Sequence, residues 1–220
     1  HGYFSPRKTA VFLQWERRLA SFSNRLGTIS PRLRDEIAGY GVADATKFAV
    51  VPLGLRLAPH GNHPRRTGAF RRAMGISEDA LLIGAVGRLV PIKNLGLLLE
   101  AARLARQDAA NLHVIFVGDG ELRQELADKA SALGLEDAVT FAGWQDDLPA
   151  VYADLDATII TSHNEGTPAC LIEAMASGCP VIATTVGGIP DMITAHVTGL
   201  LTPPGDANEL ARAIVTLVKE

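Results

Sequence analysis

From Ala80 onward the chain alternates apolar runs with amphipathic stretches, and few folds accommodate that pattern. "ALLIGAVG", "LHVIFVGDG", "AVTFAG", "DATIITS", "PVIATT" and "TGLLTPPG" read as strands. Most show no polar-apolar alternation, so both of their faces need covering. Between them, "NLGLLLEAARLARQ", "ELRQELADKASALG", "DDLPAVYADL" and "TPACLIEAMASG" have helical spacing, and "IPDMITA" reads as a short helix. Gly134 closes the second of these helices. "DANELARAIVTLVKE" is a last helix, with Asp206 as its N-cap. The order predicts an α/β fold, a doubly wound parallel sheet of Rossmann-like type. Ligands of such sheets sit at the carboxyl ends of strands. The loops to examine are therefore "GRLVPIKN", "GDGEL", "GWQDD", "HNEGTPA" and "VGGIP".

Residues 1–47 follow another pattern. "YFSPRKTAVFLQWERRLASFSNRL" reads as a helix and "LGTIS" as a strand. "SPRLRDEIAGYG" reads as a second helix, with Ser30 as cap and Pro31 in its first turn. This αβα piece has too little sheet to stand alone and is expected to be the remnant of a second domain. The division is placed at 47/48, with residues 48–220 forming the main domain. "FAVVP" opens the latter as a short strand, and "APHGNHPRR" is expected to be a polar loop.

The 220 residues carry a net charge of −3, unevenly spread. Residues 1–75 hold 13 Lys/Arg against 4 Asp/Glu, and residues 76–220 hold 8 against 20. Solvated helix faces explain the basic block most simply. An anionic membrane surface or acceptor is the sharper alternative. Nucleic acid is not expected, because no regular exposed aromatics interleave the basic residues. No apolar run reaches the roughly 18 residues of a membrane span. The first residues do not read as a secretory signal. Cys170 and Cys179 form no C-x-x-C pair and fit a reduced, cytoplasmic protein. His60 and His63 share a loop but lack metal-ligand partners, and surface positions are expected for both.

"HNEGTPACLIEAMASG" carries Glu165 and Glu173 eight positions apart, with no Lys or Arg within the segment. With Thr167 at the N-cap and Pro168 at the first helical position, the amides of Ala169, Cys170 and Leu171 would point outward. A helix end of small residues suits an anion, phosphate above all. Carboxylates on either side of it would accept from sugar and ribose hydroxyls. The alternative leaves Glu165 in water and pairs Glu173 with a distant Arg. Arg88 and Lys93 lie after the first strand, where a guanidinium fork and an ammonium suit a diphosphate. Gly118, Asp119 and Gly120 make a tight turn, but Arg123 replaces the third glycine of a dinucleotide fingerprint. Trp144 would either cover a nucleobase or cap the core.

In this order, "VPLGL", "GRLVPIKN", "VGDGELRQEL", "FAGW", "EGTPACLIEAMASGCPVIAT" and "GGIPDMITAHVTGLLTPPGD" resemble the C-terminal domain of a GT-B glycosyltransferase. The family is the glycogen-synthase-like group 1, and the resemblance spans residues 50–220. It implies transfer of a sugar, with retained configuration, from a UDP-, GDP- or ADP-linked donor to an acceptor hydroxyl that the sequence does not identify. It implies neither a divalent metal nor any other cofactor. Arg88, Lys93 and Glu165 would be catalytic: the cations on the diphosphate, the carboxylate on the sugar. Gly87, Gly166, Thr167, Pro168, Ala169, Cys170 and Leu171 would surround the phosphates, and Glu173 would hold the ribose. Gly118, Asp119, Gly120, Leu122 and Trp144 would line the base pocket. Thr167-Pro168 stands where the family often has an aromatic-Gly pair, and Asp191 where Glu is common. His1 and Gly2 match a family "HG" loop, but no role is assigned to them. Two rival readings remain. One is an epimerase or phosphorylase on the same fold, for which Lys93 would be the only loop lysine. The other is a non-catalytic nucleotide-binding module.

Overall fold

The computed structural model describes residues 5–219; His1 and Gly2 lie outside the described residues. The N-terminal piece consists of α1 (Pro6–Phe22), β1 (Leu26–Thr28) and α2 (Pro31–Gly39), followed by β2 (Phe48–Val50). Ser30 caps α2 as expected, its hydroxyl accepting from the Leu33 amide at 3.1 Å. β1 and β2 pair in parallel, Leu26 with Phe48 through Thr28 with Val50. The hydrogen bonds thus bind residues 48–50 to the first 47, across the division placed at 47/48. On α1, Val11, Trp15, Leu19 and Phe22 face outward.

A connecting stretch holds α3 (Ala58–Asn62) and α4 (Ala69–Ala73). The main unit continues with β3 (Leu81–Val86), α5 (Leu95–Ala105), β4 (Leu112–Val117), α6 (Arg123–Ala132) and β5 (Val139–Gly143). Then come α7 (Leu148–Asp154), β6 (Ala157–Ile160), α8 (Ala169–Ala176), β7 (Val181–Thr184), β8 (Leu200–Thr202) and α9 (Ala207–Lys219). "IPDMITA" forms only a 3-10 turn at Ile189–Asp191. Asp206 accepts from the Glu209 amide at 2.9 Å, as an N-cap of α9 should.

The six strands are all parallel, in the order β5-β4-β3-β6-β7-β8. Successive side chains point to opposite faces. Ile83, Ala85, Val114, Phe116 and Ile159 pack with Leu98, Leu99, Leu126 and Leu210 from α5, α6 and α9. Leu82, Ile115, Val117 and Ile160 pack with Phe70, Tyr152 and Leu171 from α4, α7 and α8. Both faces are covered, which is why the strands read as continuous apolar runs. β3 and β6 pair only through Ile83–Ala157 and Gly84–Thr158. Beyond those residues they separate, at the point where strand order reverses.

The connecting stretch is not the expected polar loop. His60 is buried in α3, with Nδ1 3.0 Å from Ser177 Oγ and its ring against Tyr152. Nor is the basic block all solvated. Buried Arg71 donates through Nε to the Asp154 carbonyl at 2.9 Å and pairs with Asp156 at 2.7 Å. Arg65 donates to the carbonyls of Tyr152 and Leu155. Local composition does not distinguish these cations from solvated ones, because the α7 and Asp156 partners just named lie more than 80 residues away.

Asp154 is fully buried and accepts from the amides of Gly68 at 2.9 Å and Phe70 at 2.8 Å. It anchors the start of α4 to the end of α7. Asp154→Ala strands those donors in the interior, and we expect a loss of about 3 kcal/mol. Urea unfolding measures this. A loss under about 1 kcal/mol would show that the carboxylate is not the anchor.

Candidate functional site

The gap between β3 and β6 collects the charged loops. β3 ends at Val86, and Gly87 follows with a φ of 142° that suits glycine. Arg88 follows, exposed, and its guanidinium has no hydrogen bond or ion pair among the described residues. Leu89 is buried and ties this loop to the next: its amide donates to the Asp119 carbonyl, and its carbonyl accepts from Leu122, both at 3.0 Å. The two loops meet backbone to backbone. A Cβ at Gly118 would lie 2.1 Å from the Gly87 oxygen, and one at Gly120 would lie 2.4 Å from the Leu89 oxygen. These glycines therefore serve a chain-to-chain approach, with or without a ligand. The Asp119 carboxylate accepts from the Gly120 amide at 2.8 Å, a turn contact.

Lys93 ends a 3-10 turn, Pro91–Lys93, just before α5. The loop after β6 holds it in place. The Thr161 hydroxyl donates to the Lys93 carbonyl at 2.7 Å, and the His163 amide donates to the Ile92 carbonyl at 2.9 Å. Lys93 Nζ lies 2.6 Å from Glu165 Oε1, with the two side chains 22% and 12% exposed. Ser162 Oγ donates to the same oxygen at 2.6 Å. Glu165 thus does not face water, and Lys93 meets a carboxylate of its own chain. The two are 72 positions apart in the chain, and the loop compositions alone do not signal the pair.

Pro168, not Thr167, is the N-cap of α8, with no side-chain cap and no acidic residue in the first turn. The shift of one residue changes which amides are open. Leu171 N–H donates to the Pro168 carbonyl at 3.1 Å, so it is not the open donor expected of it. The amides of Ala169 and Cys170 occupy the first helical positions, where no intrahelical carbonyl is available. The helix is less buried than its sequence suggests: Leu171 and Ala174 are buried, whereas Ile172 and Met175 are partly exposed.

Glu173 Oε2 accepts from the Tyr152 hydroxyl at 3.1 Å, not from an Arg. Burial, and then the neighbouring Cys170 and Glu173, push the Tyr152 phenol far above its ordinary pKa. It therefore stays protonated and keeps donating. Burial likewise pushes the Cys170 thiol up to about 11, with Lys93 acting in opposition. Cys170 is an inert thiol at neutral pH.

Arg88, Lys93 and Cys170 line one crevice with Gly87, Thr161 and Ser162. Glu165 joins it through Lys93. Gly166 and Thr167 lie on the turn between Glu165 and α8. Gly188 N–H donates to the Glu165 carbonyl at 3.0 Å, and a Cβ at Gly187 would lie 1.6 Å from that oxygen. Trp144 stands apart, after β5. It is 77% exposed and donates to Asp146 at 3.0 Å, so it does not cap the core. Among the described residues, no group of three His, Cys, Asp or Glu is placed to hold a metal ion.

A parallel sheet of this order, with cations, carboxylates and open amides at its switch point, defines a doubly wound α/β domain of the GT-B type. Residues 67–220 match the glycosyl transferases group 1 family, and the chain belongs to that family. The D-inositol 3-phosphate glycosyltransferase of Actinosynnema mirum is 34% identical over 210 residues, 90% of this chain and 50% of that protein. The crystal structure of Anabaena Alr3699/HepE in complex with UDP and glucose superposes with a TM-score of 0.87 at 28% identity. It covers 100% of this chain and 59% of that one. The same protein in complex with UDP-glucose gives 0.87 at 28% identity, covering 99% and 59%. This chain spans about half the length of the curated relatives it matches.

The sequence reading overlooked Ser162, Thr161, Tyr152 and Gly187. Only Gly187, within "VGGIP", lay in a loop singled out beforehand. Gly187→Ala meets both a φ of 51° and the Glu165 carbonyl. We expect a stability loss of about 2 kcal/mol or more in urea unfolding. A neutral effect would mean that the Glu165 turn is not fixed by this contact.

Proposed function

We propose that the chain is the donor-binding half of a retaining glycosyltransferase that moves a sugar from a nucleoside diphosphate to an acceptor hydroxyl. The observation that carries this reading is the convergence at one strand-order reversal of an unpaired Arg88, Lys93, Glu165 and the open amides of α8. Solved relatives carrying UDP and UDP-glucose support a uridine donor as the first to test.

In this mechanism Arg88 and Lys93 bind the diphosphate, and the amides of Ala169 and Cys170 face its distal phosphate. Charge that develops on the leaving diphosphate is met by groups already in place. That arrangement supplies without a metal what a divalent cation provides elsewhere. Glu165 accepts from hydroxyls of the sugar, and Glu173, oriented by Tyr152, accepts from the ribose. Gly118 to Leu122 and the exposed Trp144 ring border the base. As the glycosidic bond breaks, a leaving phosphate oxygen takes the proton of an acceptor hydroxyl on the same face, which retains configuration. The acceptor is held by residues beyond this half, and the isolated chain is expected to bind nucleotide but transfer sugar poorly. The free thiols Cys170 and Cys179 suit a cytoplasmic site of action. No described helix is long and apolar enough to cross a membrane.

Calorimetric titration with UDP, GDP and ADP tests the reading. Arg88→Ala should weaken the preferred nucleotide by roughly 10- to 100-fold, the worth of a charge-assisted pair. Unchanged affinity in both Arg88→Ala and Glu173→Ala would favour a binding module that does not use this crevice.

A further inference from the structure

Lys93 and Glu165 are held at both ends by one short stretch. Ser162 Oγ donates to the Glu165 oxygen that Lys93 contacts, and Thr161 Oγ1 donates to the Lys93 carbonyl. Thr161 and Ser162 are themselves buried, and the Thr184 hydroxyl donates to the Ser162 carbonyl at 2.8 Å. With the pair formed, the crevice beside it measures about 20 Å³, room for about one water. A diphosphate that engages Lys93 there competes with Glu165 for the ammonium.

The exchange has unequal consequences for different ligands. An anion that draws Lys93 away leaves Glu165, which is 12% exposed, without its cation. An enclosed charge stripped of its partner is costly, and Ser162 supplies only one remaining donor. A bare nucleoside diphosphate leaves that deficit in place. A diphosphate esterified to a sugar brings hydroxyls that donate to Glu165. We infer that the Lys93–Glu165 pair, seated by Ser162, is a specificity device that sets a bare nucleoside diphosphate at a disadvantage against its sugar ester. Ser162 is the positioning residue of this device. The inference rests on the nucleotide-sugar reading of the site. It assigns to the pair a discrimination that neither residue performs alone.

The test compares wild type, Glu165→Gln and Glu165→Asp. Glutamine removes the charge and the pair; aspartate keeps the charge but draws the carboxylate one methylene back from Lys93 and so weakens the pair. In titrations of UDP and UDP-glucose, both variants should bind UDP roughly 5- to 10-fold tighter than wild type, with no gain for UDP-glucose. Tightening in Glu165→Gln alone would reduce the effect to net charge and overturn the proposal, as would an unchanged UDP to UDP-glucose ratio. A second readout needs no nucleotide. Trace acylation with acetic anhydride, followed by mass spectrometry, should label Lys93 several-fold faster in Glu165→Asp and Ser162→Ala than in wild type. Nucleotide binding with unchanged labelling overturns the device alone. Altered labelling with no binding of UDP, GDP or ADP by any variant means that the nucleotide reading has failed, and the specificity role falls with it.

Discussion

The parting of β3 from β6 is the constraint on which the site depends. The two strands share two paired positions and then diverge, because the chain leaves β3 toward one sheet edge and returns to β6 on the other side. No connection crosses the opening above them, so a crevice must exist there. Arg88 and Lys93 line that crevice from the loop after β3, Glu165 meets Lys93 from the loop after β6, and Glu173 stands on α8 beside them. The dense apolar layers on both faces hold the strand ends rigid, and the loops inherit that rigidity through Leu89 and the glycine crossings.

The electrostatics at the crevice are unfinished in a particular way. Asp156 and Asp154, elsewhere in the fold, have their donors and cations assembled around them. The helix end of α8 has no acidic residue in its first turn and no side-chain cap. Arg88 extends without an anion. Lys93 and Glu165 satisfy each other, and they do so across the place where a ligand would sit. Two cations and the open amides of a helix end, set beside two carboxylates, suit an anion with hydroxyls attached better than a neutral ligand.

The sheet was legible because burial on both faces writes itself into unbroken apolar runs, and strand-helix order limits the topology. The loops "GRLVPIKN" and "HNEGTPA" were legible because residues at strand ends in such a sheet converge. Pairings between distant loops were not. Lys93–Glu165, Arg71–Asp156 and Tyr152–Glu173 join side chains more than 20 positions apart, and nothing local marks which cation meets which acid. His60 misled for a related reason. "APHGN" is polar in composition, yet one helical turn folds its imidazole against Ser177 and Tyr152. The one-residue error at the N-cap of α8 came from placing Pro168 inside the helix, where proline is commonly found. The structure puts it at the cap with an extended ψ of 121°.

Amide-resolved NMR during addition of UDP-glucose tests the central claim most directly, because it reports the position of the ligand without assuming a reaction. The account predicts that the largest shift changes fall on the amides of Gly87, Arg88, Ala169 and Cys170, while β5 and β8 change little. Perturbations concentrated away from the ends of β3 and β6, with the Ala169 and Cys170 amides unmoved at saturation, would contradict it.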